Sequence, residues 1–381
     1  MRTKTVILTF VLAGFLACSG IGDASSSSRR PPGRLVYSGA LSGGGRGLFV
    51  AAADGSHPKR LTAGPKDFSP RWSPDGRRIA FVRSTAPDVT AIWIVNADGT
   101  SARPLDQEHA YAEHPRWSPN GRWIAYQVQT QTDQSGLRAH TTFELWLVRP
   151  EGSERHRLVQ SDAAAAGGNP LYSVASGTWA WSPDGRRIAF VSGKEGQERV
   201  RVVEVATGKV RARGRGWDVD WSPDGRRLAV TVDARFEIGA PACGSLWLVP
   251  RDQGKRRLLA RPPSSADVNA PCYVWPRWSP DGRSIAFARS GLETRSRGRV
   301  LIARADGTRL RRVPPIASGR YHWPARCRPL FEYASGYGSG WIVRQPGHGA
   351  WRFVQFRVSG RSICNPEADD PCESAGDWHC P

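Results

Sequence analysis

No apolar stretch of this chain is long enough to cross a bilayer as a helix. The longest, residues 6–17, spans twelve positions, short of the roughly 20 that a span requires. Acidic residues are scarce, 34 against 54 lysines and arginines, so the chain carries a formal net charge of +20. That imbalance predicts attraction to polyanions: nucleic acid, anionic lipid headgroups or acidic wall polymers. The plainer reading is a general basic bias, with arginines spread over solvated turns. Cysteine is sparse, at seven in 381 residues, and an odd number leaves one unpaired if the rest form disulfides.

The N-terminus reads as an export signal, with Arg2 and Lys4 ahead of the apolar run. Two processing readings compete within residues 1–24. Gly22-Asp23-Ala24 offers small residues for an ordinary signal peptidase, and Phe15-Leu16-Ala17-Cys18 is similar to a lipoprotein box with Cys18 lipidated. Either route leaves Cys243, Cys272, Cys327, Cys364, Cys372 and Cys380, enough for three disulfides in an oxidising compartment. Residues 25–33, SSSSRRPPG, read as a flexible tether. Export makes nucleic acid a poor choice of partner and leaves an envelope protein or peptide, anionic lipid or wall polymer.

What the chain has in abundance is one sentence repeated. WSPDGRRIAF stands at 72–81 and again at 181–190, with WSPNGRWIAY at 117–126, WSPDGRRLAV at 221–230 and WSPDGRSIAF at 278–287. The opening tryptophans are 45, 64, 40 and 57 residues apart, and the shorter spacings suit a four-stranded propeller blade of about 40–45 residues. In S-P-D-G, proline pre-sets φ, aspartate caps the turn and glycine takes the positive φ, which makes a tight hairpin. A second strand–turn–strand follows each copy, at 91–105, 144–159, 199–214, 244–259 and 299–313. Each unit therefore reads as strands a, b, c and d, with the WSPDG turn between a and b.

The segments RLVYSG, GLFVAAADG and HPKRLT near the N-terminus look like b, c and d without their own a. A C-terminal strand would complete that blade, and the segment at Trp323 is one donor. The fold class is therefore all-β, a six-bladed propeller over residues 34–358 with its ring closed by N- and C-terminal strands. The strand-like runs within 330–358 leave seven blades as the alternative. Residues 359–381, with three cysteines and little periodicity, read as a disulfide-pinned tail.

The pattern W-S-P-D-G-[RK]-x-[IL]-A-[FY], an I-W-[LIV]-V strand and a D-G turn resemble the WD-repeat-like propellers of the TolB type, over about residues 34–325. Similar repeats form the propeller domains of prolyl oligopeptidase-like peptidases. Those relatives add a hydrolase domain whose nucleophile needs a G-x-S-x-G elbow. This chain has no such pentapeptide; GYGSG at 336–340 places its serine wrongly. The resemblance implies a fold, and a fold by itself does not select a function.

In a propeller the a–b and c–d turns share one face. That assignment makes a basic face of Arg77, Arg78, Arg122, Arg186, Arg187, Arg226, Arg227 and Arg283, joined by arginines and lysines of the c–d turns such as Arg257, Arg309 and Arg311. The other face carries the long insertions 127–143, 161–178, 232–243 and 261–273, where binding specificity usually resides. Cys243 and Cys272 fall on that face and are expected to form a disulfide. Arg71, Arg116, Asp220 and Arg277 precede motif tryptophans on strand a and become tunnel-mouth ligand candidates, with inter-blade salt bridging as the plain reading. The motif tryptophans themselves read as blade packing.

Asp106, Glu108, His109 and His114 are weak metal candidates in the loop DQEHAYAEH, whose spacing fits no zinc signature. No metal or cofactor is expected. The sequence favours an exported, monomeric, non-enzymatic propeller that binds a protein, peptide or anionic partner at the bacterial cell envelope. The alternatives are a propeller hydrolase or lyase acting on an anionic polysaccharide, and a structural scaffold or sensor domain.

Overall fold

Each motif copy folds as two antiparallel strands around a tight turn, and a second hairpin extends it to a sheet. The computed structural model describes residues 34–40, 46–52, 57–64, 66–86, 89–106, 109, 111–131, 141–161, 179–193, 198–235, 243–252, 254–261, 272–290, 299–312, 330–335, 338–344, 351–355, 357–358, 361–362 and 377–379. All of them lie in the unit Pro32–Pro381. The expected signal at 1–24 with Cys18, and the tether at 25–33, lie outside the described residues. So do Glu108, Trp323, Cys327, Cys364, Cys372 and Cys380.

The N-terminal unit supplies β1 (Arg34–Ala40), β2 (Arg46–Ala52) and β3 (Lys59–Arg60). The second sheet is β4 (Asp67–Trp72), β5 (Arg78–Ala86), β6 (Val89–Asn96) and β7 (Arg103–Pro104). The third is β8 (Ala112–Trp117), β9 (Ile124–Gln131), β10 (Thr141–Val148) and β11 (His156–Ser161). The fourth is β12 (Trp179–Trp181), β13 (Arg187–Ser192), β14 (Arg199–Glu204) and β15 (Val210–Arg215). The fifth is β16 (Asp218–Trp221), β17 (Arg227–Arg235), β18 (Cys243–Pro250) and β19 (Arg257–Ala260). The sixth is β20 (Cys272–Trp278), β21 (Ser284–Ser290), β22 (Arg299–Arg304) and β23 (Arg311–Arg312). A three-stranded sheet follows, β24 (Leu330–Ser335), β25 (Gly338–Arg344) and β26 (Trp351–Gln355), then the pair β27 (Arg357–Val358) and β28 (Arg361–Ser362). Last comes β29 (Asp377–His379).

The fold is an all-β propeller of four-stranded antiparallel sheets. β29 pairs antiparallel with β1, Arg34 opposite His379, and so stands where strand a stands in the other sheets. The residues read as a tail thus include a strand. At three residues it is too short to show a period in the sequence.

Among the described residues the core is divided: each interface from the first sheet to the sixth has its own apolar layer, and strand b feeds two layers by its period of two. In β5, Ile79 and Phe81 pack back on the first sheet with Trp72, whereas Ala80 and Val82 face forward against Trp117 of the third. In β13, Ile188 and Phe190 face back to Trp181, and Ala189 and Val191 face forward to Trp221. β17 follows suit, with Leu228 and Val230 behind and Ala229 ahead against Trp278. The repeated I-A-F is therefore a large residue for one interface and a small one that leaves room for the next tryptophan.

That tryptophan also makes a polar clamp. Trp117 Nε1 donates to the Arg71 carbonyl at 3.1 Å, Trp181 Nε1 to the Arg116 carbonyl at 3.2 Å, and Trp221 Nε1 to the Ala180 carbonyl at 3.1 Å. In each case the acceptor precedes the motif tryptophan of the sheet before. From that sheet the first residue of strand b covers the ring: Arg34 lies 4.7 Å from the Trp72 centroid, Arg78 5.4 Å from Trp117 and Arg227 5.3 Å from Trp278. Strand d adds a second strap, Arg103 donating to the Pro150 carbonyl at 2.6 Å and Arg257 to the Asp306 carbonyl at 2.9 Å, each in the next c–d turn.

In urea unfolding, Trp221→Ala should lose about 3–5 kcal/mol. Trp221→Phe, which keeps a ring but no donor, should lose nearer 1 kcal/mol from the missing hydrogen bond. Ala189→Leu, which overfills the same interface, should lose about 1–3 kcal/mol. A Trp221→Phe variant as damaged as Trp221→Ala would show that the bond to Ala180, and not ring packing, carries the interface.

Candidate functional site

The a–b turns are built alike around a buried serine. In the fifth sheet the Ser222 hydroxyl donates to Asp224 Oδ1 at 2.5 Å and accepts from the Arg227 amide at 2.9 Å. Asp224 Oδ1 also accepts the Arg226 amide at 3.0 Å. Gly225 turns the chain at φ 66°, and a Cβ there would lie 3.7 Å from Pro183 of the preceding turn, so a side chain is strained by the backbone rather than by lack of room. Ser73, Ser118, Ser182 and Ser279 repeat the arrangement. Asn120 replaces the aspartate in the third sheet and keeps the same contacts, Ser118 at 2.7 Å and the Arg122 amide at 3.1 Å. The sequence pattern shows the proline, aspartate and glycine roles; the serine as hub comes from the structure.

This geometry divides the predicted basic face into two classes. Arg77, Arg122, Arg186, Arg226 and Arg283 occupy the same turn position and are exposed. Arg78, Arg187 and Arg227, one residue on, are half-buried. Arg78 and Arg227 cover tryptophans as above, and Arg187 pairs with Asp184 at 3.6 Å. The inward arginines therefore serve packing, because strand b begins there and its side chains alternate. The turn carboxylates are held below the usual carboxylate range. Desolvation raises Asp75, Asp184 and Asp224, but the serine hydroxyl, the arginine amide and the two following guanidiniums outweigh it. Asp281 is lowered first by its Ser279 hydrogen bond.

On the c–d side, Lys59, Arg60, Lys209, Lys255, Arg256, Arg309 and Arg311 are exposed. Arg103 and Arg155 are half-buried, and Arg155 reaches Asp106 at 3.6 Å. A cleft of 1160 Å³ opens on this rim between the fifth and sixth sheets, lined by Arg227, Arg257, Arg283, Arg304, Arg309 and Arg311 among others. Arg304 belongs to the group although the sequence reading passed over it. Its signal was its place at the end of strand c, beside the D-G turn.

The tunnel-mouth candidates sit on strand a as expected. Arg71 and Arg277 turn back to the carbonyls of Pro70 and Pro276 at 3.0 and 2.8 Å. Arg116 donates to the Trp179 carbonyl and stacks 4.5 Å from that ring, a contact with the next sheet. Asp220 Oδ2 accepts the Trp278 amide at 2.7 Å. Burial pushes its carboxyl up, against Arg277, the Trp278 and Trp221 amides and Arg116. Arg116 and Asp220 thus bridge to the next sheet, whereas Arg71 and Arg277 bond within their own strand.

His114 stands at φ 54°, as Ser69 and Trp275 do at 50° and 55°, all three just before the proline of P-R-W. The register of strand a shifts there in each case. The residue shared by these positions is a β-bulge, and the histidine is one of three occupants. His114 faces Glu113 at 3.8 Å. Asp106, fully buried, is hydrogen-bonded to His109 Nδ1 at 2.6 Å, and His109 packs 4.4 Å from the Trp146 ring. Among the described residues no three metal-ligating side chains converge. Cys243 opens β18 and Cys272 opens β20, strands that pack against each other. Most of the long insertions fall outside the described residues. Among the described residues no helix is long and apolar enough to cross a membrane.

No known family model matches the chain. Over 64 residues, 16% of this chain, it is 41% identical to the Tol-Pal system protein TolB of Rhizorhabdus wittichii, of which the match covers 15%. The chain thus spans far less than two thirds of that relative. A solved prolyl endopeptidase is similar over 89% of this chain and 50% of that one, with a TM-score of 0.59 and 16% identity. The β-propeller domain of the Trilobed protease from Pyrococcus furiosus is similar over 76% of this chain and 85% of that one, with a TM-score of 0.51 and 16% identity. The repeats are TolB-like and the fold is that of a propeller; at these identities the solved structures speak to fold alone.

Because the turn aspartates have lowered pKa values, their contribution is complete above the unfolded carboxylate pKa of about 4 and is lost as pH falls further. Their share of the urea midpoint should therefore be level from pH 7 to about 5 and drop below about 4. Asp224→Asn, which copies the natural Asn120 turn, should fold and show a shallower acid slope. An unchanged slope would assign the acid sensitivity elsewhere.

Proposed function

We propose that this is an exported, non-enzymatic, monomeric propeller that binds an anionic partner at the bacterial cell envelope through its arginine rim. One observation carries the reading. The exposed arginine recurs at the same turn position in successive sheets, at Arg77, Arg122, Arg186, Arg226 and Arg283, beside four carboxylates that accept hydrogen bonds from their own turns and, at Arg122, beside the neutral Asn120. The charge is thus presented outward on a rigid scaffold, in keeping with a net charge of +20. The signal-like N-terminus supports export, and the likeness to TolB repeats supports an envelope setting with a protein or peptide partner. Anionic lipid and wall polymer share the required charge.

The test is retention of the purified protein on immobilised dextran sulfate and polygalacturonate. Retention should be strong at low salt and fade as the Debye length shrinks from about 10 Å at 0.1 M to about 3 Å at 1 M. The fivefold variant Arg77→Glu, Arg122→Glu, Arg186→Glu, Arg226→Glu and Arg283→Glu, checked for an unchanged unfolding midpoint, should pass through unretained. Retention equal to that of the unaltered protein would remove the rim from the binding role. Release of shortened polygalacturonate would replace the reading with the enzymatic one.

A further inference from the structure

The rim is uneven, and its cleft between the fifth and sixth sheets combines charge with exposed apolar surface. Six arginines line it against two aspartates, Asp281 and Asp306. Both acids accept hydrogen bonds from their own turns and lie near Arg283, Arg304 and Arg257, so positive charge stays in excess. Asp281 Oδ1 accepts from the Ser279 hydroxyl and the Arg283 amide, and Asp306 Oδ1 accepts from the Thr308 amide and hydroxyl. Two arginines have structural work, Arg227 over Trp278 and Arg257 on the Asp306 and Ala305 carbonyls. The remaining four, Arg283, Arg304, Arg309 and Arg311, are exposed and form no ion pair among the described residues.

Every cation in the described lining is an arginine. The planar guanidinium fork matches carboxylate or phosphate in a bidentate manner that lysine does not. Leu310, 52% exposed, also lines the cleft, and Ile302, 3% exposed, lies beside it. A phosphate or uronate polymer leaves that leucine unused, and a flat bilayer does not enter a concave site.

We infer that this cleft binds an acidic peptide segment of a partner protein, its carboxylates on the four exposed guanidiniums and an apolar side chain against Leu310. The inference rests on the rim as an anion-binding surface and adds the place on it and the class of partner.

Fluorescence anisotropy with the full chain and a labelled Glu-Glu-Leu-Glu-Glu peptide tests it, with Glu-Glu-Ser-Glu-Glu, inorganic polyphosphate and phosphatidylglycerol vesicles as competing probes. Arg283→Glu with Arg309→Glu should weaken the leucine peptide about tenfold or more. Arg77→Glu with Arg122→Glu, the same charge change on other sheets, should weaken it by about twofold. Leu310→Ser should weaken the leucine peptide and leave the serine peptide unchanged. Equal losses from both double variants would overturn the cleft and leave the rim reading standing. Tighter binding of polyphosphate or vesicles than of the peptide would overturn the partner class. No binding of any of these probes at low salt would overturn the inference and the rim reading together.

Discussion

The packing of each motif tryptophan against the preceding sheet, fixed at Trp117, Trp181 and Trp221 by a hydrogen bond to that sheet's carbonyl, is the contact on which the rest of this structure depends. A propeller sheet has two faces, and each must be buried against a neighbour whose strands it never pairs with. Apolar packing supplies most of that energy but sets no register, since hydrophobic burial has no direction. At Trp117, Trp181 and Trp221 the bond adds a direction, because a buried indole N–H without an acceptor is costly. Small Ala80, Ala189 and Ala229 let the indole approach, and the arginine at the start of strand b closes over the rings of Trp117 and Trp278.

Function follows from how that clamp sorts the arginines. Two consecutive arginines leave each WSPDGRR turn. The second points along the sheet face and is drawn into packing; the first points to solvent. The turn itself is stiff, since Ser, Asp and Gly satisfy one another's backbone groups. Its aspartate stays ionised and offsets one of the two arginine charges, so each WSPDGRR turn keeps a net positive charge. Turns held this way fix the backbone from which the outward charges rise, so only the side chains remain to be ordered on meeting a partner.

The sequence reading reached the strand order within each unit because four cues agreed: the tryptophan spacing, the S-P-D-G turn, the period-two strands and the second hairpin. It reached the exposed arginines for the same reason, and it aligned His114 with Ser69 and Trp275, which share one backbone bulge. It could not separate Arg77 from Arg78, since the division depends on which side of a strand each faces relative to a neighbouring tryptophan. Nor could it find the β29 strand, whose three residues gain their structure only from pairing with Arg34–Val36.

Sequence alone determined the unit: its four strands, its turn chemistry and the sign of its charge, because each is encoded within a few consecutive residues. Tertiary structure alone decided which arginines are mortar and which are surface, that Asp106 pairs with His109, and that the turns of the fifth and sixth sheets line a cleft. The arginine sorting and the cleft join residues some 50 positions apart, such as Arg227 and Trp278. No local propensity reaches that far; only the closing of one sheet against the next does.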